Sequence, residues 1–395
     1  MATPCLTMSL YHPGHPLPQA QVLSVSRKKR ILNHALGLAC LGLKFRYRVR
    51  APAPTPGLPL RVLILEPFGM GDIIALEPLV SNLLAAGTHV TLAGQSRWAD
   101  LIPASDHFQW LPLTLPWASY SGAEKYQLAR LRTALSIATT ALEPAARAAI
   151  AIDPRGDLRS VALLWRAGAS RVLTLSDYSH SNAGNSPWAA ETWKWDRRWN
   201  KWRSNLASME LLGMEPAEIR PPRFARSASI QKPALRSIGL IPMAPWAGKL
   251  WPPARWHGLA DHLRKEDWNL VGLGGPGQTQ DVRLHLGSAV PIVECASIGE
   301  WRHQLEQLDH VVTVDSGPMH LAAALGIPST ALFGGGLLPV WAPSGEQSRV
   351  VTHQFGPGKG PCHQIGENLE YEKTLMELIR VEEVSAAIDL TSPSR

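Results

Sequence analysis

At 395 residues, with 39 Lys and Arg against 32 Asp and Glu, the chain carries a formal charge of +7 and exceeds what one hydrophobic core usually holds. Two domains with a cleft between them are expected, together with anionic partners such as nucleotide phosphates, acidic lipids or nucleic acid. The four Cys (Cys5, Cys40, Cys295 and Cys362) have no paired spacing for a disulfide framework or a zinc site, which sets those classes aside and suits a reducing cytoplasm.

Residues 1–60 do not read as the start of a domain. Pro and polar residues dominate to about Ser24. Arg27-Lys28-Lys29-Arg30 then precedes an apolar run from Ile31 to Leu43, and a basic stretch from Lys44 to Arg50 follows. The run is shorter than the about 20 apolar residues that span a bilayer. It also begins too late, with no small-residue cleavage site, for a signal peptide. Two readings stand. In one, a basic amphipathic segment lies on an anionic membrane surface, making the protein peripheral on the inner face of the cytoplasmic membrane. In the other, an extra helix packs on the core with a solvated basic collar.

From Arg61 to Leu92 the pattern is a β-α-β unit: a buried strand at Val62 to Leu65, a turn at Gly69-Met70-Gly71-Asp72, a helix from Ile73 to Ala86 and a strand at His89 to Leu92. The turn differs from a dinucleotide fingerprint because Ile74 occupies the third glycine position and no acid ends the second strand, so a nicotinamide enzyme is not expected. Further strands at His107 to Leu111, Ala148 to Ile152 and Arg171 to Leu175 alternate with helices around Glu124 to Thr140 and Leu158 to Ala167. Such alternation predicts a doubly wound parallel sheet.

Five Trp lie between Trp188 and Trp202. Trp195, Trp199, Trp202, Leu206 and Met209 share one face at helical spacing, with Lys194, Arg197, Arg198, Lys201 and Arg203 interleaved. Aromatic anchors among cations suit a headgroup interface or a sugar platform, and equally the buried face of an amphipathic helix with a charged back. A Pro- and Ser-containing stretch from Arg220 to Leu235 reads as a linker.

A second β-α alternation follows. Ile238 to Ile241 is a strand ending in a loop with Lys249 and Trp251, Pro253 to Leu263 a helix, Asn269 to Leu273 a strand, Gly274-Gly275-Pro276-Gly277 a turn, and Asp281 to Leu286 a helix. Val311 to Val314 is then a buried strand, Asp315-Ser316-Gly317-Pro318 a tight turn, and Met319 to Leu325 a helix with Ser316 as its capping residue. The helix amino end, with its dipole and free N–H groups, suits phosphate at a sheet edge; simple capping by Asp315 and Ser316 would use the same residues. Leu369 to Ile388 reads as one amphipathic helix packing back across both domains.

Four blocks, Arg61 to Pro78, Ala151 to Leu164, Ile238 to Leu273 with the following GGPG, and Val311 to Phe333, together resemble glycosyltransferase family 9, the heptosyltransferase-like enzymes of lipopolysaccharide core assembly. The resemblance implies the GT-B fold: α/β, with two Rossmann-like doubly wound domains facing across a cleft. The acceptor-side domain would span 61–226, the nucleotide-sugar domain 237–365 and a returning helix 366–395. It also implies an inverting transfer of a sugar, heptose-like by family, from a nucleotide diphosphate co-substrate to a glycolipid or saccharide acceptor.

Carried over by motif, Asp72 falls on the general base beside Gly71. Lys249 falls on the diphosphate-binding lysine of a block that here begins with Pro245 where relatives have Ser. Asp315, Ser316, Gly317 and His320 match the donor motif D-[ST]-G-x-x-H. Gly274 and Gly275, with Gln280 near the place of a ribose-binding Glu, complete the donor set, and Arg155 and Arg159 face the acceptor in relatives. No Asp-x-Asp occurs, and of a cysteine cluster common near this end only Cys362 remains. No metal and no further cofactor are therefore expected. Nucleic acid is not an expected partner, since no binding module is recognisable. The alternative is a catalytically degenerate member serving as a membrane-associated binding or assembly factor, motivated by Pro245 and the altered ribose loop.

Overall fold

The computed structural model describes residues 10–11, 27–48, 59–118, 128–147, 149–176, 188–194, 196, 199–227, 235–354 and 369–389. They form two compact units, one within residues 23–222 and the other within residues 1–22 and 223–395.

In chain order, strand Leu10–Tyr11 (β1) and helix Arg27–Arg48 (α1) come first. The first sheet then alternates with helices: Arg61–Leu65 (β2), Met70–Ile74 (α2), Glu77–Ala85 (α3), His89–Gly94 (β3), Phe108–Pro112 (β4), Leu128–Ala146 (α4), Ile150–Asp153 (β5), Leu158–Arg166 (α5), Arg171–Leu175 (β6), Glu191–Trp193 (β7) and Lys201–Leu206 (α6). The strands are parallel in the order β4-β3-β2-β5-β6-β7. Val62 to Leu65 are buried on both faces, so β2 needs helices above and below it and takes the centre of the sheet. Val62 stands opposite both Val90 and Ile150.

The second unit repeats the plan with Ser237–Ile241 (β8), Pro253–Lys265 (α7), Asn269–Gly274 (β9), Thr279–Leu286 (α8), Ile292–Glu294 (β10), Ile298–Glu306 (α9), His310–Val314 (β11), Gly317–Ala324 (α10), Ser329–Phe333 (β12), Leu338–Trp341 (α11), Ser348–Thr352 (β13), Leu369–Leu378 (α12) and Val381–Asp389 (α13). Six strands run parallel as β10-β9-β8-β11-β12-β13, and β1 adds antiparallel to β13. Both sheets have the doubly wound order in which the strand order reverses beside the first parallel strand, and the crevice at that reversal is where such sheets place ligands. The reversal lies between β2 and β5 in the first unit and between β8 and β11 in the second.

Several expectations need correction. The helix predicted over Ile73 to Ala86 is two, because Pro78 has no N–H to continue the ladder and sits in the first turn of α3 instead. The N-terminal segment is not external to both cores. Helix α1 packs on α5, its Cys40 is fully buried among Leu158, Val161 and Leu164, and Cys40 Sγ donates to Leu158 O at 3.5 Å. The tryptophan-lined helix is short: Trp193 ends β7, Asn200 caps α6, and the buried face is Lys201, Ser204, Asn205 and Leu206. Trp195, Arg197 and Arg198 lie outside the described residues, as do Cys5 and Cys362. The returning helix is also two, α12 and α13, divided at Ile379-Arg380, where the Arg380 N–H donates to Glu383 Oε2 at 2.9 Å and Trp251 Nε1 donates to Ile379 O at 3.0 Å.

Candidate active site

Beyond the end of β2, the chain turns through Glu66 to Gly69 into α2. The Gly69 N–H donates to Asp72 Oδ2 at 3.1 Å, so one carboxylate oxygen closes the first turn of a five-residue helix. The other oxygen meets the Arg155 guanidinium, which reaches across from the turn after β5 and lies 3.9 Å over the Phe68 ring. Asp72 is 6% and Arg155 18% exposed in the side chain, so each needs the other; breaking a pair buried this well typically costs about 3–5 kcal/mol.

The turn that carries Arg155 is itself over-determined. Asp153 accepts from the Arg155 and Asp157 N–H groups and from Thr174 Oγ1, and Asp157 caps α5 through the Arg159 N–H. Gly156 has φ +74, and a Cβ there would collide with Leu175 O, so only glycine fits. Burial and the Asp157 charge push Asp153 up to about 6, against the bonds from Thr174 and the two amides. Arg159 forks onto Asp157 and stands 5.4 Å from the Trp117 ring centroid.

Behind these turns lies a residue that sequence pattern assigned to a basic surface. Lys201 is 1% exposed, and its Nζ donates to Pro154 O and Asn205 Oδ1, both at 2.6 Å; Asn205 Nδ2 in turn donates to Ala75 O at 3.0 Å. One side of α6 thus holds both the carbonyl before Arg155 and the carbonyl that ends the Asp72 helix. Glu66 shares this interior: burial, then the Asp72 charge, raise its pKa, partly offset by Arg155 and Lys201. Burial lowers that of Lys201, offset first by Glu66. The acid tends toward its neutral form because a desolvated carboxylate beside another carboxylate is expensive.

The second unit carries the same device with the charges exchanged. Lys249 comes from the turn after β8 and Asp315 from the turn after β11, with Nζ 2.6 Å from Oδ2. That oxygen is buried and the contact is an ion pair by distance without hydrogen-bond alignment. Ser316 begins α10 in extended backbone, but its hydroxyl makes no cap; Oγ lies 3.3 Å from Thr313 Oγ1. Gly317 opens the helix, whose first-turn amides therefore remain available to an anion. His320, half-buried on α10, packs edge-on against Trp341 at 5.6 Å between centroids.

The loop after β12 was not identified from sequence, although its run Gly334-Gly335-Gly336 after an apolar strand was the available signal. A Cβ on Gly336, whose φ is +122, would lie 2.9 Å from Asp315 Oδ2, so the bare backbone is what lets the loop approach the pair. Gln354 Nε2 donates to Gly334 O and Gly336 O at 2.6 and 3.1 Å. Buried Glu372 of α12 accepts from Trp246 Nε1 at 2.6 Å, fastening the Lys249 turn.

Of the expected site residues, Gly71, Asp72 and Arg155 come together in the first unit, and Lys249, Asp315, Ser316 and Gly317 in the second. Gly274 ends β9, the strand beside β8, and Gly275 N–H donates to Gln278 Oε1 at 2.8 Å. Gln280 is exposed on α8, so it is Gln278 that closes this turn. No group of three or more His, Cys, Asp or Glu side chains suited to a metal occurs among the described residues.

Residues 145–370, more than half of the chain, match the family model of glycosyltransferase family 9 (heptosyltransferase). Solved structures similar to the chain include E. coli heptosyltransferase WaaC with ADP, at 16% identity and a TM-score of 0.65 over 84% of this chain and 100% of that one. A Veillonella parvula family 9 glycosyltransferase matches at 17% and 0.62, covering 86% and 98%. E. coli ADP-heptose lps heptosyltransferase II matches at 16% and 0.56, covering 84% and 99%. No curated protein matches in sequence. The likenesses show the fold, two doubly wound α/β units of the GT-B class.

Proposed function

The chain belongs to glycosyltransferase family 9, and from that premise we propose that it moves a heptose-like sugar, with inversion and without a metal, from a nucleoside diphosphate to a lipopolysaccharide or other glycolipid or saccharide acceptor. The observation that carries this reading is the pairing of Lys249 with Asp315 beside the uncapped amino end of α10. A cation and free amides at a sheet's reversal point suit a diphosphate, whose charge grows as the sugar leaves. ADP and ADP-2-deoxy-2-fluoro heptose in the E. coli heptosyltransferase WaaC structures of this fold support the same donor class.

In this reading Asp72 accepts the proton of the acceptor hydroxyl while that oxygen bonds to the anomeric carbon. The carbon–oxygen bond to the diphosphate breaks, and the electron pair leaves with the nucleotide. A single carboxylate suffices, because a nucleoside diphosphate needs no acid to depart. Lys249 and the α10 amides take the role that a divalent ion has in other transferases. Arg155 and Arg159 suit phosphate or acidic sugar on the acceptor.

The test is incubation with ADP-heptose and a panel of lipid A and saccharide acceptors, with and without EDTA, following ADP release and the product's anomeric configuration by NMR. Inverted product at equal rates in both supports the reading. Retained configuration or loss with EDTA refutes the corresponding part. Donor binding without turnover on any acceptor would favour the non-catalytic binding factor instead.

A further inference from the structure

Helix α1 buries one face and exposes another that is mostly apolar, with His34 and Arg46 also at the surface. Cys40 and Asn33 point into the first unit, with Leu36 and Leu43 packed against its core. Ile31, Leu38 and Phe45, each seven residues apart and therefore on one stripe, are 64%, 64% and 68% exposed. Ala35, Ala39 and Gly42 fill the stripe between them, also exposed. The stripe runs about 21 Å at the helical rise. No other described helix exposes three large apolar side chains in a row.

Trp188 extends this face. It is 41% exposed, stands edge-on to His34 at 6.5 Å between centroids, and is tied to the helix by Lys44 Nζ donating to its carbonyl at 3.2 Å. A half-exposed indole beside an apolar helical stripe is the side-chain pairing that interfacial segments use at headgroup depth.

The charge pattern selects the occupant. The helix begins with Arg27-Lys28-Lys29-Arg30, ends with Lys44, Arg46 and Arg48, and contains no Asp or Glu. A second copy would bring two such basic helices together, and like charges at both ends would oppose it. An anionic bilayer accepts both features at once, apolar surface into the acyl boundary and cations at the phosphates. The helix is not long and apolar enough to cross a membrane. We propose that the outward face of α1, with Trp188 at its flank, lies on an anionic membrane surface. This inference is independent of the sugar-transfer reading.

The test is co-sedimentation of the full chain with vesicles of phosphatidylcholine alone and with roughly 30% phosphatidylglycerol, at low and high salt. The expected result is binding to the anionic vesicles only, reversed by salt, and weakened about tenfold or more in the triple variant Ile31→Ser, Leu38→Ser, Phe45→Ser. The variant should keep the wild-type melting temperature and nucleotide affinity, since these side chains touch solvent. Equal binding by variant and wild type overturns the proposal, as does indifference to lipid charge. A wild-type dimer that the variant dissociates, without vesicle binding, makes the face an interface between copies. A variant that melts several degrees lower makes it packing surface for the chain itself. Either outcome ends the membrane assignment.

Discussion

Arg155 neutralises Asp72 beyond the ends of the adjacent strands β2 and β5, two residues 83 positions apart that meet because each follows a strand at the point where the strand order reverses. In the second unit Lys249 and Asp315 meet at the corresponding place, but the cation follows the first parallel strand of the sheet and the acid the fourth. The first arrangement presents a carboxylate on a short helix, suited to accepting a proton. The second presents an ammonium beside a helix amino end, suited to anionic oxygen.

Replacing Asp72 with Asn should lower transfer by at least about a hundredfold, because the amide keeps shape and can still accept the Gly69 bond but cannot take a proton. Donor affinity should not change, since the proposed donor residues belong to the other unit. Steady-state turnover above about a tenth of wild type would remove Asp72 from the base role.

Lys249→Ala should weaken nucleoside diphosphate binding by about tenfold or more while leaving the nucleoside nearly unaffected, as the proposed partner is phosphate. Calorimetry at fixed salt separates the two ligands. Equal loss for both would make Lys249 only the counter-charge of Asp315.

The Lys201-Asn205 brace predicts a change in kcat more than in KM. Asn205→Ala frees Ala75 O and should cost about 1–3 kcal/mol of stability. It should also lower kcat about tenfold, with donor affinity unchanged, because the Asp72 helix loses its anchor. If kcat tracks only the folded fraction measured by circular dichroism, the brace supports the fold and not the base.

Glu66→Gln should be close to neutral for both stability and turnover near pH 7. Burial and Asp72 raise the carboxyl's pKa, so the amide resembles the form the interior favours. An additional buried negative charge is what this interior resists, so a large fall in melting temperature on this substitution would mean that the ionised form is the one the fold uses.

His310 predicts acid sensitivity. It is fully buried on β11, its Nε2 3.0 Å from Thr330 Oγ1, and burial with the nearby Arg236 charge pushes its pKa down to about 3. A depressed histidine contributes stability that is present above its unfolded value of 6.5 and is lost as pH falls from there toward 3, because the unfolded chain takes up the proton first. Asp153, raised to about 6, works in the opposite direction over part of that range, so the readout is a difference. The melting temperature of wild type should fall more steeply below pH 6.5 than that of His310→Asn, and parallel slopes would refute the assignment.

Much of the architecture was legible in the residues. Val62 to Leu65, Ile238 to Ile241 and Val311 to Val314 read as strands because a parallel strand buried on both faces is a short continuous apolar run, and the turns after them carry the glycines and polar residues that such reversals need. Short strands without that signature, such as Glu191–Trp193 and Ile292–Glu294, were missed; partners on the sheet define them more than their own composition does.

Sequence by itself determined the two β-α alternations, the family and the positions of Asp72, Lys249 and Asp315 just beyond strand ends, since these follow from local periodicity and motif spacing. Tertiary structure alone decided that Arg155 answers Asp72, that Lys201 turns inward to hold Pro154 and Asn205, that Glu372 fastens Trp246, and that α1 buries Cys40 while exposing Ile31, Leu38 and Phe45. The reason is that a charge's partner and a helix's buried face depend on distances across the fold, whereas a lone lysine or a basic apolar run has the same local pattern whether it meets solvent, a carboxylate or a core.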